Sequence, residues 1–380
     1  MSVLSIAEME LYGRHLTLAE IGEQGQQKLK QASVLVVGAG GLGCPILQYL
    51  AAAGVGKIGI VDHDCVEKSN LQRQVLFRWQ DIGKSKAEIA KERISALNPF
   101  VKVKAYQSKF GAENASELVD KYDIIADATD NFTAKYLIND ACYLYKKILI
   151  YASINQFEGQ LAVFNVQSPN YRDLFPEPPP PHLSQNCAEA GVMGVLPGLL
   201  GCLQANEIIK LITGAGEVLL GQLLLINILT LESRKIKLKP NQLNALSGKH
   251  PTIRQLEERV VHCPLFDNAH TIYPHELHEK LMAGKRIFLI DVRNPHEHCI
   301  LSLMNDTLIP LSDLDRIQTD MIPADRLTVV YCQSGRRSQI AVKKLQMRCQ
   351  QGRYAFLAGG LDAYVQAGYT YQLKRPAGTQ

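Results

Sequence analysis

The sequence predicts an α/β protein of two units, a larger domain with a mainly parallel sheet and a smaller α/β domain behind it. Three observations predict it. A strand, a glycine loop, a helix and a second strand follow one another within the first 62 residues. Helix–strand alternation then continues to about residue 152. A second, shorter alternation begins at Ile272, with no repeat relating the two.

Taken in order, residues 1–30 read as helical, with Leu11, Leu16, Leu18, Ile21 and Leu29 set among charges and glutamines. Residues 33–37 form an apolar strand that runs into Gly38-Ala39-Gly40-Gly41-Leu42-Gly43 and an alanine- and leucine-rich helix to Ala53. Gly54-Val55-Gly56 breaks that helix, and 57–62 is the second strand. Helices at 84–97, 115–119 and 133–146 alternate with strands at 101–105, 123–126 and 148–152. The proline run at 176–182 excludes helix and central strand, which makes it an extended surface crossover. A glycine-containing buried helix at 191–213 and strands at 219–228 and 236–238 complete the first domain, 1–245. Periodicity is lost around 239–264, so 246–269 reads as a linker. In the second domain, 270–380, strands at 287–291, 327–331 and 354–357 flank a helix at 338–348.

Composition narrows the function classes. The chain has 380 residues, 46% of them hydrophobic, and a net charge of +4, which excludes a disordered or disulfide-dense secreted chain. Apolar runs fall short of the roughly 18 residues of a membrane span. Residues 1–10 lack the basic and apolar stretches of a leader. Basic blocks are missing, so neither a nucleic-acid nor a membrane partner is expected. Nine scattered cysteines without a C-x-x-C pair fit a reducing cytoplasm.

A glycine loop between strand and helix turns backbone N–H groups and a helix N-terminus toward a polyphosphate. Asp62, at the end of the second strand, suits a ribose hydroxyl. A dehydrogenase would be the default reading of that unit alone. Arg73, in Ser69-Asn70-Leu71-Gln72-Arg73-Gln74, and Lys86, at the next helix, argue against it, as does Asp127-x-x-Asp130-Asn131 at a strand end. Two cations and a carboxylate suited to Mg²⁺ belong to the cutting of a triphosphate.

GAGGLG, DHDCVEKSNLQRQ, DIGKSKA, DATDN and CAEAGVMGVLPG together resemble the motifs of the MoeB/ThiF family over about residues 5–240. The resemblance implies a Rossmann-like activating-enzyme domain that adenylates the C-terminal glycine of a ubiquitin-like sulfur carrier with ATP. It implies that Gly38, Gly40, Gly41 and Gly43 cradle phosphates and that Asp62 holds the ribose. Ser69, Asn70, Leu71, Gln72 and Arg73 would line the triphosphate, Lys86 would neutralise charge at the α-phosphate, and Asp130, beside Asn131, would hold Mg²⁺. Arg14 matches the arginine that reaches into the partner's ATP site, which implies a homodimer. Lys135 stands where many relatives have arginine, a change that weakens a bidentate contact.

Cys187, in a polar setting just before a helix, is placed to act as a thiolate that attacks the acyl-adenylate or forms an acyl-disulfide, as it can in relatives. Cys44, Cys142 and Cys202 lie in apolar helices and read as core. The two C-x-x-C pairs that relatives commonly carry are replaced here, by Asn170-Tyr171-Arg172-Asp173 and, as aligned, by the stretch from Gln242 to Ala245. A structural Zn²⁺ needs about four good ligands, so zinc is not expected.

In the second domain, Cys332-Gln333-Ser334-Gly335-Arg336-Arg337 is a tight loop between strand and helix. Backbone N–H groups, a helix N-terminus and the two arginines all favour an anionic sulfur at Cys332. DVR with PHE, YCQSGRRS and LAGGLDAY resemble a rhodanese domain over about 270–375, which implies that Cys332 is the persulfide carrier and Arg337 a catalytic residue of its loop. Asp291 and Arg293 are expected to pair and orient that loop, and His296 and His298 to be ordinary surface histidines. Ser302-Leu303-Met304-Asn305-Asp306 replaces the usual His-Ile-Pro-Gly-Ala, so a reshaped turn is expected.

The two resemblances imply a cytoplasmic adenylyltransferase with sulfurtransferase activity. It would use ATP and Mg²⁺, act on a ubiquitin-like carrier ending in Gly-Gly, and receive sulfur from a cysteine desulfurase or other donor. The carrier's pathway, such as molybdenum cofactor or thiamin biosynthesis, is left open. Two alternatives remain: adenylation of another peptide C-terminus with a separate sulfur relay, and an inactive carrier-docking scaffold.

Overall fold

The structure, a computed structural model, describes residues 4–164, 167, 169–178, 191–256, 270–317, 321–349, 352–369 and 373–374. The chain divides into two units, Met1–Val261 and His262–Gln380.

The predicted N-terminal helix is broken into α1 (Ile6–Leu11), α2 (Gly13–Leu16) and α3 (Gly22–Gln31). Tyr12, buried between the first two, fixes the break. Its hydroxyl accepts a hydrogen bond from Asn98 Nδ2 (2.8 Å). Strand β1 (Ser33–Val37), helix α4 (Gly43–Ala52) and strand β2 (Lys57–Val61) then form the expected unit. Next come α5 (Lys86–Leu97), β3 (Lys102–Tyr106), α6 (Ala112–Asp120), β4 (Ile124–Asp127), α7 (Phe132–Leu144) and β5 (Ile148–Asn155).

Beyond β5 the structure adds what the sequence pattern missed: an antiparallel strand, β6 (Glu158–Phe164), and the short helix α8 (Tyr171–Leu174). Helix α9 (Val195–Thr213), β7 (Gln222–Asn227) and β8 (Ser233–Lys237) follow. The sheet order is β3-β2-β1-β4-β5-β6-β7-β8, parallel through β5 and antiparallel thereafter. The turn from β1 therefore opens where the strand order reverses, the usual ligand crevice of such sheets.

Alternation along β1 builds both faces of the core. Val34 and Val36 pack with α4, α5 and α9, while Leu35 and Val37 pack with α6 and α7. Helix α9 is long and apolar enough to cross a membrane by length and composition. Leu196, Leu200, Ala205 and Ile208 are instead buried in the same core, and Gln204 donates to the Asp127 and Ile150 carbonyls. Leu246 and Ile253, within the stretch expected as linker, are buried too.

The second unit contains β9 (His270–Ile272), α10 (Pro274–Met282), β10 (Ile287–Asp291), α11 (Pro295–Ile300), β11 (Ser302–Leu303) and β12 (Asp306–Leu308). It ends with β13 (Leu327–Tyr331), α12 (Arg336–Arg348), β14 (Arg353–Leu357), α13 (Gly360–Gln366) and β15 (Leu373–Lys374). Its five-stranded sheet, β12-β10-β13-β14-β9, is parallel throughout, and β11 pairs antiparallel with β15.

Candidate functional site

The glycine loop is built by close approach. Gly38 has φ +98°, and a Cβ there would stand 2.7 Å from the Ala128 carbonyl oxygen. A Cβ on Gly43 would stand 2.0 Å from the Gly38 carbonyl oxygen, so neither position tolerates a side chain. The Gly38 contact also brings Ala128 and Thr129, the residues before Asp130, beside the loop. Helix α4 starts there without a side-chain cap, leaving N–H groups directed at the crevice.

Asp62 closes the other side. Its carboxylate accepts from the Ala39 and Asp64 amides (2.7 and 2.8 Å). Burial pushes its carboxyl up, and those two amides oppose the shift. Lys86 is buried at the start of α5, and its Nζ lies 3.0 Å from Asp64 Oδ2. Asp64 is thus a partner that motif reading had left unassigned. Arg73 donates to the Ser69 carbonyl (3.0 Å), and Asn70 Oδ1 accepts from the Glu67 amide. Leu71 is half-buried and Gln72 exposed along the same turn. Gln74 was not singled out in the sequence; it is buried, its amide nitrogen lies beside Gly40, and its Oε1 has no hydrogen-bond partner. Its signal was membership of the same motif.

At the end of β4 the two aspartates separate. Asp127 is buried, its carboxylate held by Lys135 Nζ (3.1 Å), Thr129 N (2.9 Å) and Thr129 Oγ1 (2.7 Å). Lys135 also donates to the Ala152 carbonyl (2.7 Å), so the lysine works as a point charge between strands. Asp130 is exposed. Asn131 is the N-cap of α7, with Oδ1 accepting from the Ala134 amide (2.9 Å).

Arg14 does not join this group within the chain. It is exposed on α2, which Tyr12, Asn98 and the Ala51 carbonyl tie to the C-terminal end of α4. The glycine loop lies at the opposite end of that helix, about 15 Å away. Cys187 lies outside the described residues. Among the other thiols, Cys44 and Cys142 are core as expected, burial pushing Cys44 up to about 12. Cys202 is only half-buried, because α9 leaves that face outside the core.

The two segments that replace the C-x-x-C pairs do meet, through hydrogen bonds. Asn170 Nδ2 donates to Ser247 Oγ (2.8 Å), Asn244 Nδ2 to Asn170 Oδ1 (3.2 Å), and the Asn241 amide to Asp173 Oδ1 (2.7 Å). Arg172 forks onto Asp140, both contacts 2.7 Å and buried. Removing one member of this knot leaves buried polar partners unpaired. Asn244→Ala is therefore expected to destabilise the first unit by about 1–3 kcal/mol, whereas a chelator should leave the wild-type melting curve unmoved; denaturant and thermal melts check both.

In the second unit Cys332 is buried, and its sulfur accepts from the Gly335 amide (3.2 Å) beside Ser338 Oγ (3.7 Å). The amides of Leu361 and Asp362 grip the carbonyls of Cys332 and Gln333 from behind (2.9 and 3.0 Å). Arg293 forks onto Asp291 and donates to Gln333 Oε1 (2.8 Å), the pairing expected of them. Arg337 forks onto Glu297 (2.7 and 2.6 Å), leaving Arg336 as the exposed cation of the loop. His298 is not an ordinary surface residue, since its Nε2 meets Asp306 Oδ1 at 3.1 Å. The altered turn places Asn305 at φ +60°, where an asparagine substitutes for glycine.

Burial alone would raise the Glu297 carboxyl, but hydrogen bonds and charge from Arg337 bring it from 4.5 to about 2. A carboxyl lower in the folded state stabilises fully above its unfolded value, and that contribution fades as pH falls from 4.5 toward about 2. Glu297→Gln should therefore lower the melting temperature near neutrality and converge with wild type in that acid window, as melts across pH would record.

Residues 12–246 match the ThiF family and residues 273–367 the rhodanese-like domain. A probable adenylyltransferase/sulfurtransferase MoeZ of Mycobacterium tuberculosis is 44% identical over 359 residues, covering 90% of each chain. A sulfur carrier protein adenylyltransferase of Thermus thermophilus is 48% identical, over 68% of this chain and 97% of its own. An adenylyltransferase and sulfurtransferase MOCS3 of Aedes aegypti is 38% identical, over 94% and 86%. Among solved structures, Escherichia coli MccB superposes with TM-score 0.55 at 22% identity, covering 63% of this chain and 73% of that one, a likeness of fold.

Proposed function

The chain belongs to the ThiF family, with a rhodanese-like domain behind it, and on that premise we propose that it both activates and sulfurates a ubiquitin-like carrier protein ending in Gly-Gly. One observation carries the reading. A glycine loop followed by a buried lysine and a cysteine held under a backbone amide stand on one chain, and each would supply what the other's reaction lacks.

In the first step the carrier's terminal carboxylate oxygen attacks the α-phosphorus of ATP and pyrophosphate leaves, giving an acyl-adenylate. The α4 amides and Arg73 hold the phosphates, and Lys86 neutralises the charge that grows on the α-phosphate. Asp130 suits Mg²⁺, being an exposed carboxylate beside the glycine loop while Asp127 is committed to Lys135. The ion, when bound, shields the phosphate charges. Arg14, remote from its own loop, acts in the site of a second copy, which makes the enzyme a homodimer.

In the second step the outer sulfur of a Cys332 persulfide attacks the acyl carbon and AMP leaves, giving an acyl-disulfide. Thiolate attack by Cys187 on the Cys332 sulfur releases the thiocarboxylate and leaves a Cys187–Cys332 disulfide, which a cellular thiol reduces. A cysteine desulfurase or small sulfur donor in the cytoplasm reloads Cys332. Intact-mass measurement tests the scheme. With ATP, Mg²⁺ and a sulfur source, a MoaD-like or ThiS-like carrier should exchange one oxygen for one sulfur. ATP consumption with an unchanged carrier mass would overturn it.

A further inference from the structure

We propose that Asp306, supported by His298, is a positioning residue for sulfur transfer: through the Tyr331 hydroxyl it fixes the residue before Cys332 and with it the sulfur. The inference rests on the reading of Cys332 as the sulfur carrier. Strand alternation puts Val330 and Cys332 on one face of β13 and Val329 and Tyr331 on the other. Tyr331 is fully buried, and its ring reaches across β10 toward the edge strand β12, where its hydroxyl donates to Asp306 Oδ2. The same hydroxyl accepts from the Leu303 amide (3.0 Å), and the second Asp306 oxygen meets His298 Nε2 (3.1 Å). The contact therefore ties β11, the start of β12 and α11 to the last residue of β13, from which the cysteine loop springs.

The other neighbour of Cys332 is clamped as well, Gln333 standing between Arg293 and Asp362. A cysteine with both neighbours held keeps its sulfur under the Gly335 amide. Freeing one neighbour lets the sulfur drift from the donor that favours its anion. The charged and titratable groups around the Tyr331 hydroxyl are Asp291, with Arg293 on it, and Asp306, with His298 on it. Asp306 stands within the turn where this chain departs from the rhodanese pattern, so the departure carries its own support for the loop.

Asp306→Ala and Tyr331→Phe test this in the full-length enzyme. Each should slow carrier thiocarboxylate formation by about tenfold and change the rate of Cys332 alkylation by iodoacetamide at fixed pH, while ATP–pyrophosphate exchange holds. The double variant should be no slower than either single one. Asp306→Asn, which keeps an acceptor for the hydroxyl, should stay within about twofold of wild type. Wild-type alkylation and transfer in Asp306→Ala, or additive losses in the double variant, would overturn the proposal. Should Asp306→Ala fail to fold, Tyr331→Phe decides alone by the same criteria. Sulfur transfer that survives Cys332→Ala would instead count against the reading of Cys332, which the alkylation rate does not depend on.

Discussion

Cys332→Ala abolishes thiocarboxylate formation and leaves carrier-dependent ATP–pyrophosphate exchange at the wild-type rate. The two activities sit on separate folding units, Met1–Val261 and His262–Gln380, with separate cores and separate sheets. On the proposed mechanism adenylation draws on the glycine loop, Arg73, Lys86 and Asp130, none of which depends on a thiol. Sulfur transfer needs a thiol that can hold an anionic sulfur. Among the described thiols at helix starts, Cys332 holds its sulfur under the Gly335 amide, whereas burial pushes Cys44 up to about 12. Serine does not rescue, because an alkoxide carries no sulfane sulfur. Exchange assays and intact-mass analysis of the carrier read the two halves independently. Loss of both activities in a well-folded variant would refute the division of labour.

Much of this arrangement is legible in the sequence. A glycine loop, a cationic helix start and a strand-end aspartate are local signals, each set by neighbours within a few residues. The cysteine loop is equally local. Contacts between distant segments were not legible. Asn170 and Asn244 lie 74 residues apart, and no periodicity links them; only the fold brings their amides together. His298 reads as a surface residue because the chain does not announce that β12, which carries its partner Asp306, lies beside β10. The antiparallel β6 escaped for a related reason. Gln156, in the turn before it, adopts φ +53° without the glycine that normally marks such a turn, so the expected strand stops at residue 152 and nothing marks β6.

Lys86→Met lowers ATP–pyrophosphate exchange by about 10²–10³-fold, with a much smaller change in the apparent KM for ATP. The contrast follows from where the ammonium sits. Lys86 is buried at the first residue of α5, and Asp64, half of whose side chain is exposed, holds it. The pairing fixes Nζ before ATP arrives, so little reorganisation is left for the moment of reaction. On the proposed mechanism the ground-state phosphates are served by the α4 amides and by Arg73. The added negative charge appears only as the carboxylate attacks, and there a fixed, dry cation is worth most. Lys86→Arg should not restore the rate, because a planar fork cannot occupy the place of a compact ammonium against Asp64. Asp64→Asn should cost less than Lys86→Met, since it loosens the cation without removing it. Cys332 persulfide loading should be untouched in all three variants, which separates a local effect from unfolding. An exchange rate within a few-fold of wild type in Lys86→Met would assign the charge to Arg73 or to the partner's arginine instead.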